Sequence, residues 1–394
     1  MRSIVKSLAP ILLILVVAIY AFLQYDQIPE KVVAGLIYLP HLLTILLVGI
    51  TLYFNRSVIF FYVVLLIICN VALRSGWANG ELSLSLLGAL LPLLLLSVTL
   101  LPEKSILSSG TTPAYFIIVI CIIVVFSMAS SPPGWAKNLF LGEWLPEKYF
   151  DWTSLSQSAL FVWVFSLMAM IITFALKPKP QIAVGLGVLV CVILLIQFGQ
   201  SQESLLLFSC AALLMCFYFV VQDSWYMAYV DELTGLPGRR ALREKFQNLS
   251  GTFALAMLDV DHFKKFNDRY GHETGDAVLR MIAAKLHKVG GGGIAYRYGG
   301  EEFCVVFAGK NKKESKVAME NLRETIEQTP FVVNRATRRA SELKSKPRKP
   351  QSVSVTVSAG ISDSSVSSQP WDILKLADKA LYRAKKKGRN CVVM

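Results

Sequence analysis

Charge is scarce in the first 222 residues. They hold ten Lys/Arg and eight Asp/Glu, whereas residues 223–394 hold thirty and nineteen. So few charges over such a length exclude an ordinary water-soluble fold for the first part. Paired cysteine spacings are also missing. Of the seven cysteines, Cys69, Cys121, Cys191, Cys210 and Cys216 lie inside apolar runs, and Cys304 and Cys391 on expected strands. This excludes a disulfide framework and makes each a small buried hydrophobe. Arg2 and Lys6 precede an apolar core, yet no small-residue cleavage site follows, so a removable leader is not expected. Between Gln222 and Asp231 there is no heptad run for a coiled coil. A signal from the first part is therefore expected to pass almost directly into the second.

What is present is apolar sequence in blocks. Runs long enough to cross a bilayer recur near 7–25, 32–54, 58–75, 82–101, 113–130, 155–176, 181–199 and 204–222. A single run would also fit a buried soluble helix; eight in series do not. Eight spans place both termini on one side, with Arg2, Lys6, Arg56, Lys104, Lys177 and Lys179 in the loops of that side. The bias is weak and agrees with cytoplasmic termini. The loop 131–154 carries Trp135, Trp144, Tyr149, Phe150 and Trp152, rings suited to the membrane interface. His41, beside Pro40, fits either an intramembrane site or a helix-packing contact at a kink.

The second part is strongly basic, which implies an acidic partner: nucleotide, nucleic acid or anionic lipid. Its centre is Arg297-Tyr298-Gly299-Gly300-Glu301-Glu302-Phe303. Apolar runs from Gly292 to Tyr298 and from Phe303 to Ala308 flank a Gly-Gly bend, which predicts a hairpin. Two adjacent carboxylates at its tip repel each other. A divalent cation or a proton to be accepted gives them a purpose, and a solvated acidic turn is the plainer alternative. Phe253 to Leu258 reads as a buried strand ending in Asp259-Val260-Asp261-His262-Phe263-Lys264, where strand-fixed carboxylates suit a metal.

Residues 265–272 read as a polar loop. A helix from about Glu273 to Val289 carries Val278, Ile282, Leu286 and Val289 on one face. A second, over 312–329, has Val317, Leu322 and Ile326 facing inward. Phe331 to Val333 and Val353 to Ile361 read as strands. Between them, residues 335–350 carry seven Lys/Arg, either a solvated loop or a contact with anionic lipid. A last helix runs from Pro370 to Gly388, with Lys385 and Arg389 at its end, and a short strand closes the chain. Carboxylates on one strand edge and on the adjacent hairpin are how polymerase-like palms present metals to a nucleoside triphosphate.

Residues 231–394 resemble the GGDEF domain of diguanylate cyclases, in its GGEEF variant. The resemblance rests on six motifs in order. These are Asp-Glu-Leu-Thr-Gly-Leu-Pro-Gly-Arg-Arg from Asp231, Asp259-Val-Asp-His-Phe-Lys-Lys-Phe-Asn267-Asp, Tyr270-Gly-His-Glu-Thr-Gly-Asp276, Arg297 to Phe303, Val357-Ser-Ala-Gly-Ile, and Ala380-Leu-Tyr-Arg-Ala-Lys385-Lys-Lys-Gly-Arg389-Asn390.

The implied architecture is a membrane region over 1–222, a short linker over 223–230, and an α/β (α+β) catalytic domain over 231–394. That domain has a nucleotidyl-cyclase-like central sheet flanked by helices. The implied reaction is transfer between two GTP, giving cyclic di-GMP and two pyrophosphates at the face of a homodimer. Asp259, the Val260 carbonyl and Glu301 would hold Mg²⁺, or Mn²⁺ in its place. Glu301, with Glu302 beside it, would accept the 3′-hydroxyl proton. Asn267 and Asp276 would read the guanine. Lys264, Lys385 and Arg389, with the backbone N–H groups of His262 and Phe263, would take the phosphates. For single residues a plainer role also fits: Asp276 as a helix cap, Lys385 and Arg389 as complements of a helix dipole.

The resemblance further implies a multi-pass protein of the bacterial inner membrane with the domain in the cytoplasm, and no nucleic-acid partner. Two departures stand out. Gly290 and Gly293 occupy the positions of the Arg-x-x-Asp product-inhibition site, and Gly238 stands where the family usually has Asn. The other readings are a GTP-binding receptor without catalysis and a transporter. Retention of Asp259, Glu301 and Glu302 weighs against the first, and the few polar residues in the spans against the second.

Overall fold

The computed structural model describes residues 2–394 except 104, 107, 109, 110, 200 and 334–350. Lys104 and the basic stretch 335–350 thus lie outside the described residues. The chain forms two compact units, Met1–Asp223 and Ser224–Met394.

The first unit is helical: α1 (Arg2–Leu23), α2 (Glu30–Leu36), α3 (Leu39–Tyr53), α4 (Ser57–Arg74), α5 (Glu81–Leu100), α6 (Thr112–Ser130), α7 (Gly134–Phe140), α8 (Gln157–Leu176) and α9 (Pro180–Phe198), with α10 (Gln202–Tyr229) running past its end. Eight spans were expected. Six segments among the described residues are long and apolar enough to cross a membrane: Glu30–Tyr53, α4, α5, α8, α9 and α10. A seventh is a bent pair, Tyr115–Ser130 with Gly134–Phe140, turned by 102°. The bend falls at Pro132-Pro133, where two ring-locked residues cannot continue a helix. The first apolar helix, Ser7–Leu23, is shorter than the rest.

Leu13, Ile45, Ile123 and Phe165 point outward and are exposed. Inside, small residues and polar pairs set the packing. A Cβ on Gly185 would lie 2.6 Å from the Tyr62 hydroxyl, which hydrogen-bonds Thr99 Oγ1 at 2.7 Å. Ser209 donates to Asn70 Oδ1 at 2.9 Å, joining α10 to α4. α10 continues through residues 223–229, so most of the stretch expected as a linker is helical.

The second unit is built on a five-stranded sheet, ordered β2-β3-β1-β6-β7. Its strands are β1 (Phe253–Val260), β2 (Ile294–Gly299), β3 (Glu302–Ala308), β6 (Val357–Asp363) and β7 (Val392–Val393). β1 is central and antiparallel to β3 and β6; β7 runs parallel to β6. β1 is buried along its whole length because helices cover both faces. Ala254, Ala256 and Leu258 pack with α13 (His272–Leu286) and α14 (Lys312–Glu327). Phe253, Leu255 and Met257 alternate onto the face of α11 (Arg239–Gln247) and α15 (Pro370–Lys386). A Cβ on Gly360 would lie 2.0 Å from the Leu381 backbone nitrogen, so only glycine lets α15 settle on β6. This close approach carries Lys385 to the end of β1.

Four expectations change. Residues expected as a polar loop form α12 (Phe263–Tyr270). Phe263 and Phe266 are three apart and turn to the core, and Phe266 packs on Tyr270, so the segment is amphipathic. Val317 is 63% exposed. The buried face of α14 is Ser315, Ala318, Met319, Leu322 and Ile326, and Val317 lies about 100° round the helix from Ala318. The first hairpin strand begins at Ile294, after Gly291 and Gly292 adopt positive φ. Val353 to Ile361 is not one strand: β5 (Gln351–Val353) pairs with β4 (Phe331–Val333) as a separate ribbon, and β6 begins at Val357.

Candidate active site at the edge of the central strand

Asp259 sits on β1 directly opposite Glu302 on β3. Residues facing each other across a ladder project from the same side, so both acids emerge on the α15 face. β2 and β3 close through Gly300-Glu301, with Gly299 opposite Glu302 and Gly300 at φ 37°. Glu301 is therefore the tip residue, and Glu302 the first residue of β3. The Val260 N–H donates to the Glu301 carbonyl at 3.4 Å, tying the tip to β1.

The three carboxyls share one electrostatic problem. Burial pushes Asp259 above the usual carboxylate range; Lys385 opposes this, with Nζ 2.8 Å from Oδ2. Burial also raises Glu301, and Asp259 and Glu302 add to the rise. Glu302 is raised by burial, then by Asp259 and Asp378. Asp259 is only 5% exposed. Lys385 thus holds a buried acid, which a charge merely complementing a helix dipole would not do.

A second link fixes the hairpin. Arg297 Nη2 donates to the Gly300 carbonyl at 2.6 Å, and Nη1 to Asp231 Oδ1 at 2.7 Å. Its backbone N–H donates to the Pro237 carbonyl at 2.8 Å. Asp231 also accepts from the Thr234 hydroxyl and N–H. Burial opposes its ionisation, but these bonds from Thr234 and Arg297 outweigh that, and its carboxyl lies below the usual range. The turn 231–237 is thereby bolted to the hairpin. Sequence reasoning assigned no role to either residue. They are 66 positions apart, so no local pattern pairs them. Gly238 caps α11 without a side-chain bond, where Asn would supply one.

The expected phosphate and guanine residues fall on three elements. His262 takes a left-handed φ of 56° and leads into α12, whose first-turn N–H groups, starting at Phe263, have no partner within the helix. Lys264 is exposed on that turn and makes no ion pair among the described residues. Asn267, later on α12, packs its amide against Gly275 of α13: a Cβ there would fall 1.9 Å from Oδ1. That Oδ1 is buried without a hydrogen-bond partner. Asp276 follows Gly275, half-buried, and is not the cap of α13, whose capping residue is Gly271. Arg389 has φ 67° just beyond α15, exposed, and its charge reaches Asp259.

The turn carrying Arg389 is held by Asp261, which the sequence grouped with Asp259 as a strand-edge carboxylate suited to a metal. Its carboxylate accepts from Thr356, Ser358 and the Asn390 N–H at 2.8, 2.7 and 3.0 Å. With these bonds Asp261 is spent on structure, unlike its neighbour Asp259.

Among the described residues no group of three His, Cys, Asp or Glu stands ready to hold a metal. A magnesium ion carried by a triphosphate needs only one or two carboxylates. Asp259 already holds one cationic group, beside two acids whose charge is disfavoured, and this donor set fits such an ion.

The second unit thus presents a central sheet flanked by helices, with paired acids at one strand edge. Residues 228–391 match the family described as diguanylate cyclase, GGDEF domain, and the second unit is a GGDEF domain. The chain is 36% identical over 182 residues to diguanylate cyclase DgcP of Pseudomonas aeruginosa, covering 44% of this chain and 25% of that protein. It is 37% identical over 171 residues to diguanylate cyclase VdcA of Vibrio cholerae, covering 42% and 47%. The chain thus spans between a quarter and about half the length of these curated relatives. The crystal structure of the coiled coil and GGDEF domain of DgcB from Caulobacter crescentus in complex with c-di-GMP aligns with 28% identity and a TM-score of 0.38, over 45% of this chain and 91% of that one.

Proposed function

We propose that this protein is a diguanylate cyclase, condensing two GTP into cyclic di-GMP and two pyrophosphates. The observation that carries the reading is the cluster of Asp259, Glu301, Glu302 and Lys385 at the edge of β1. Asp259, Glu301 and the Val260 carbonyl hold Mg²⁺, which when bound neutralises triphosphate charge. Glu301, at the tip and raised above the usual carboxylate range, takes the 3′-hydroxyl proton. The 3′-oxygen then forms a bond to the α-phosphorus of the second GTP, and the bond to pyrophosphate breaks. Lys385, Arg389 and Lys264 offset phosphate charge, together with the N–H groups of His262 and Phe263. Asn267 and Asp276 read the guanine; the unpartnered Asn267 Oδ1 supports that role.

Each domain supplies one GTP, so the reaction needs a homodimer. The six long apolar helices support anchorage in the bacterial inner membrane, with the domain in the cytoplasm and the membrane region as its control element. Product feedback through an Arg-x-x-Asp site is absent: Gly290 and Gly293 offer no side chain. A Cβ on Gly293 would meet Phe307 at 2.7 Å. The full-length protein in nanodiscs, given GTP and Mg²⁺, is expected to release cyclic di-GMP, and Glu301→Ala to release none. A silent wild type under forced dimerisation, or an unaffected variant, refutes the reading. Added product at micromolar-range concentrations is expected to leave the initial rate largely unchanged.

A further inference from the structure

Two cavities in the first unit differ in chemistry. The smaller, about 330 Å³, lies among α4, α5 and α6; it is lined by residues such as Leu65, Leu91 and Phe126, with no charged side chain. The larger, about 1110 Å³, lies at the end of the bundle where α10 begins. That volume is at or above the roughly 300–1,000 Å³ of ordinary ligand sites. Its lining includes Phe22, Ile37, Leu73, Leu205 and Leu206. Phe22 is held against Phe198 and Phe208, with ring centroids 5.2 Å away in each case, so this wall is fixed.

Among the described residues Arg74 is the one charged side chain in the lining, accompanied by polar groups such as Asn79 and Gln202. Arg74 stands in the last turn of α4 and makes no ion pair among the described residues. Glu203 acts on the Tyr25 phenol and is not itself part of the lining. A chamber with one apolar wall, one polar wall and a guanidinium that has no ion pair among the described residues suits a molecule with an apolar body and an anionic head. A neutral apolar molecule would leave Arg74 unpaired and is better suited to the smaller cavity.

We propose that the larger cavity binds an amphipathic anion, an acyl chain bearing a carboxylate or phosphate head, with Arg74 on the head and the Phe22–Leu205 wall on the chain. The site belongs to the first unit alone and stands apart from the cyclase reading. Gln202, Leu205 and Leu206 of α10 line the cavity, and the same helix continues to Tyr229. An occupant therefore changes what the start of that helix packs against.

The test uses the full-length protein in zwitterionic nanodiscs, with binding read by native mass spectrometry and thermal shift. Decanoate is expected to bind saturably, and decylamine, with the head charge reversed, is not. Arg74→Gln is expected to weaken decanoate binding about tenfold or more, the scale of one charge-assisted hydrogen bond, and Arg74→Lys to restore most of it. Ile37→Trp fills the chamber from a half-exposed position and is expected to abolish binding while the protein still folds. Replacing the zwitterionic lipid with phosphatidylglycerol separates the sources. Loss of decanoate binding with an Arg74-dependent rise in melting temperature upholds a lipid occupant; continued decanoate binding upholds a free acid. Equal binding of decylamine, or unchanged decanoate affinity in folded Arg74→Gln protein, overturns the proposal.

Discussion

Lys385 Nζ lies 2.8 Å from Asp259 Oδ2, so the last helix of the chain neutralises the buried acid at the end of the central strand. The pair joins two ends of the domain. Asp259 is held by two antiparallel neighbours, and Lys385 is delivered by the close seat of α15 on Gly360.

Removing one partner leaves the other stranded. Lys385→Ala is expected to lower cyclic di-GMP formation about 100-fold or more, on the scale of a lost preorganised charge. It should also lower stability by roughly 1–2 kcal/mol, less than for a fully buried pair because Lys385 is one-third exposed. Asp259→Asn added to it should recover stability but no activity. Denaturant melts and product assays on the three proteins check this.

The raised carboxyls of Asp259, Glu301 and Glu302 fix the sign of a pH effect. Their charged forms are disfavoured in the fold. The stability they contribute is present below the ordinary carboxylate pKa and is lost as pH rises through the raised folded values. Glu302→Gln removes one such charge and is expected to raise the melting temperature of the substrate-free protein at neutral pH, with a smaller gain in acid. Activity should run the other way, falling with acid from above the ordinary carboxylate range. An equal gain at both pH values would contradict the cause given.

Arg297 bridges the Gly300 carbonyl and Asp231 with a two-pronged guanidinium. Lysine cannot span both acceptors. Arg297→Lys is expected to reduce turnover by about 100-fold, the cost of a misplaced tip acid. The Asp231 carboxyl should also shift back toward its ordinary value. Its depressed pKa contributes stability above the ordinary carboxylate pKa, lost as pH falls through the folded value. The variant should show a weaker acid-linked loss of stability in pH-dependent melts.

Gly275 gives the Asn267 amide its seat. Gly275→Ala places a methyl group on Oδ1, at the mobile end of a side chain, so the fold should adapt while the amide swings away. The KM for GTP is expected to rise about tenfold with a smaller change in kcat, the mark of a lost binding contact. A larger fall in kcat than in affinity would place Asn267 elsewhere in the reaction.

Runs of apolar residues and strict motif order made much of this protein legible from its sequence. Periodicity and composition are local properties, and they marked the helical first part, β1, the hairpin and α13. They misjudged features that depend on what lies opposite. Residues 265–272 looked polar because four of the first six carry charge or an amide, yet Phe263, Phe266 and Tyr270 share a face that matters only once the sheet is there. Val317 looked like a core residue until α14 was turned against β6 and β7. The bend at Pro132-Pro133 lies beyond the run expected over 113–130 and sets the short helix α7 at an angle to it.

By itself, the sequence singled out candidates for chemistry: Asp259, Glu301, Glu302, Asn267, Asp276, Lys264, Lys385 and Arg389. Only the tertiary structure decided their pairings. Lys385 rests on Asp259, 126 positions earlier in the chain, because Gly360 has no side chain. Arg297 reaches back to Asp231, and Asp261 is consumed by Thr356, Ser358 and Asn390. Long-range contacts of this kind follow from strand order and helix seating, which no short window of sequence contains.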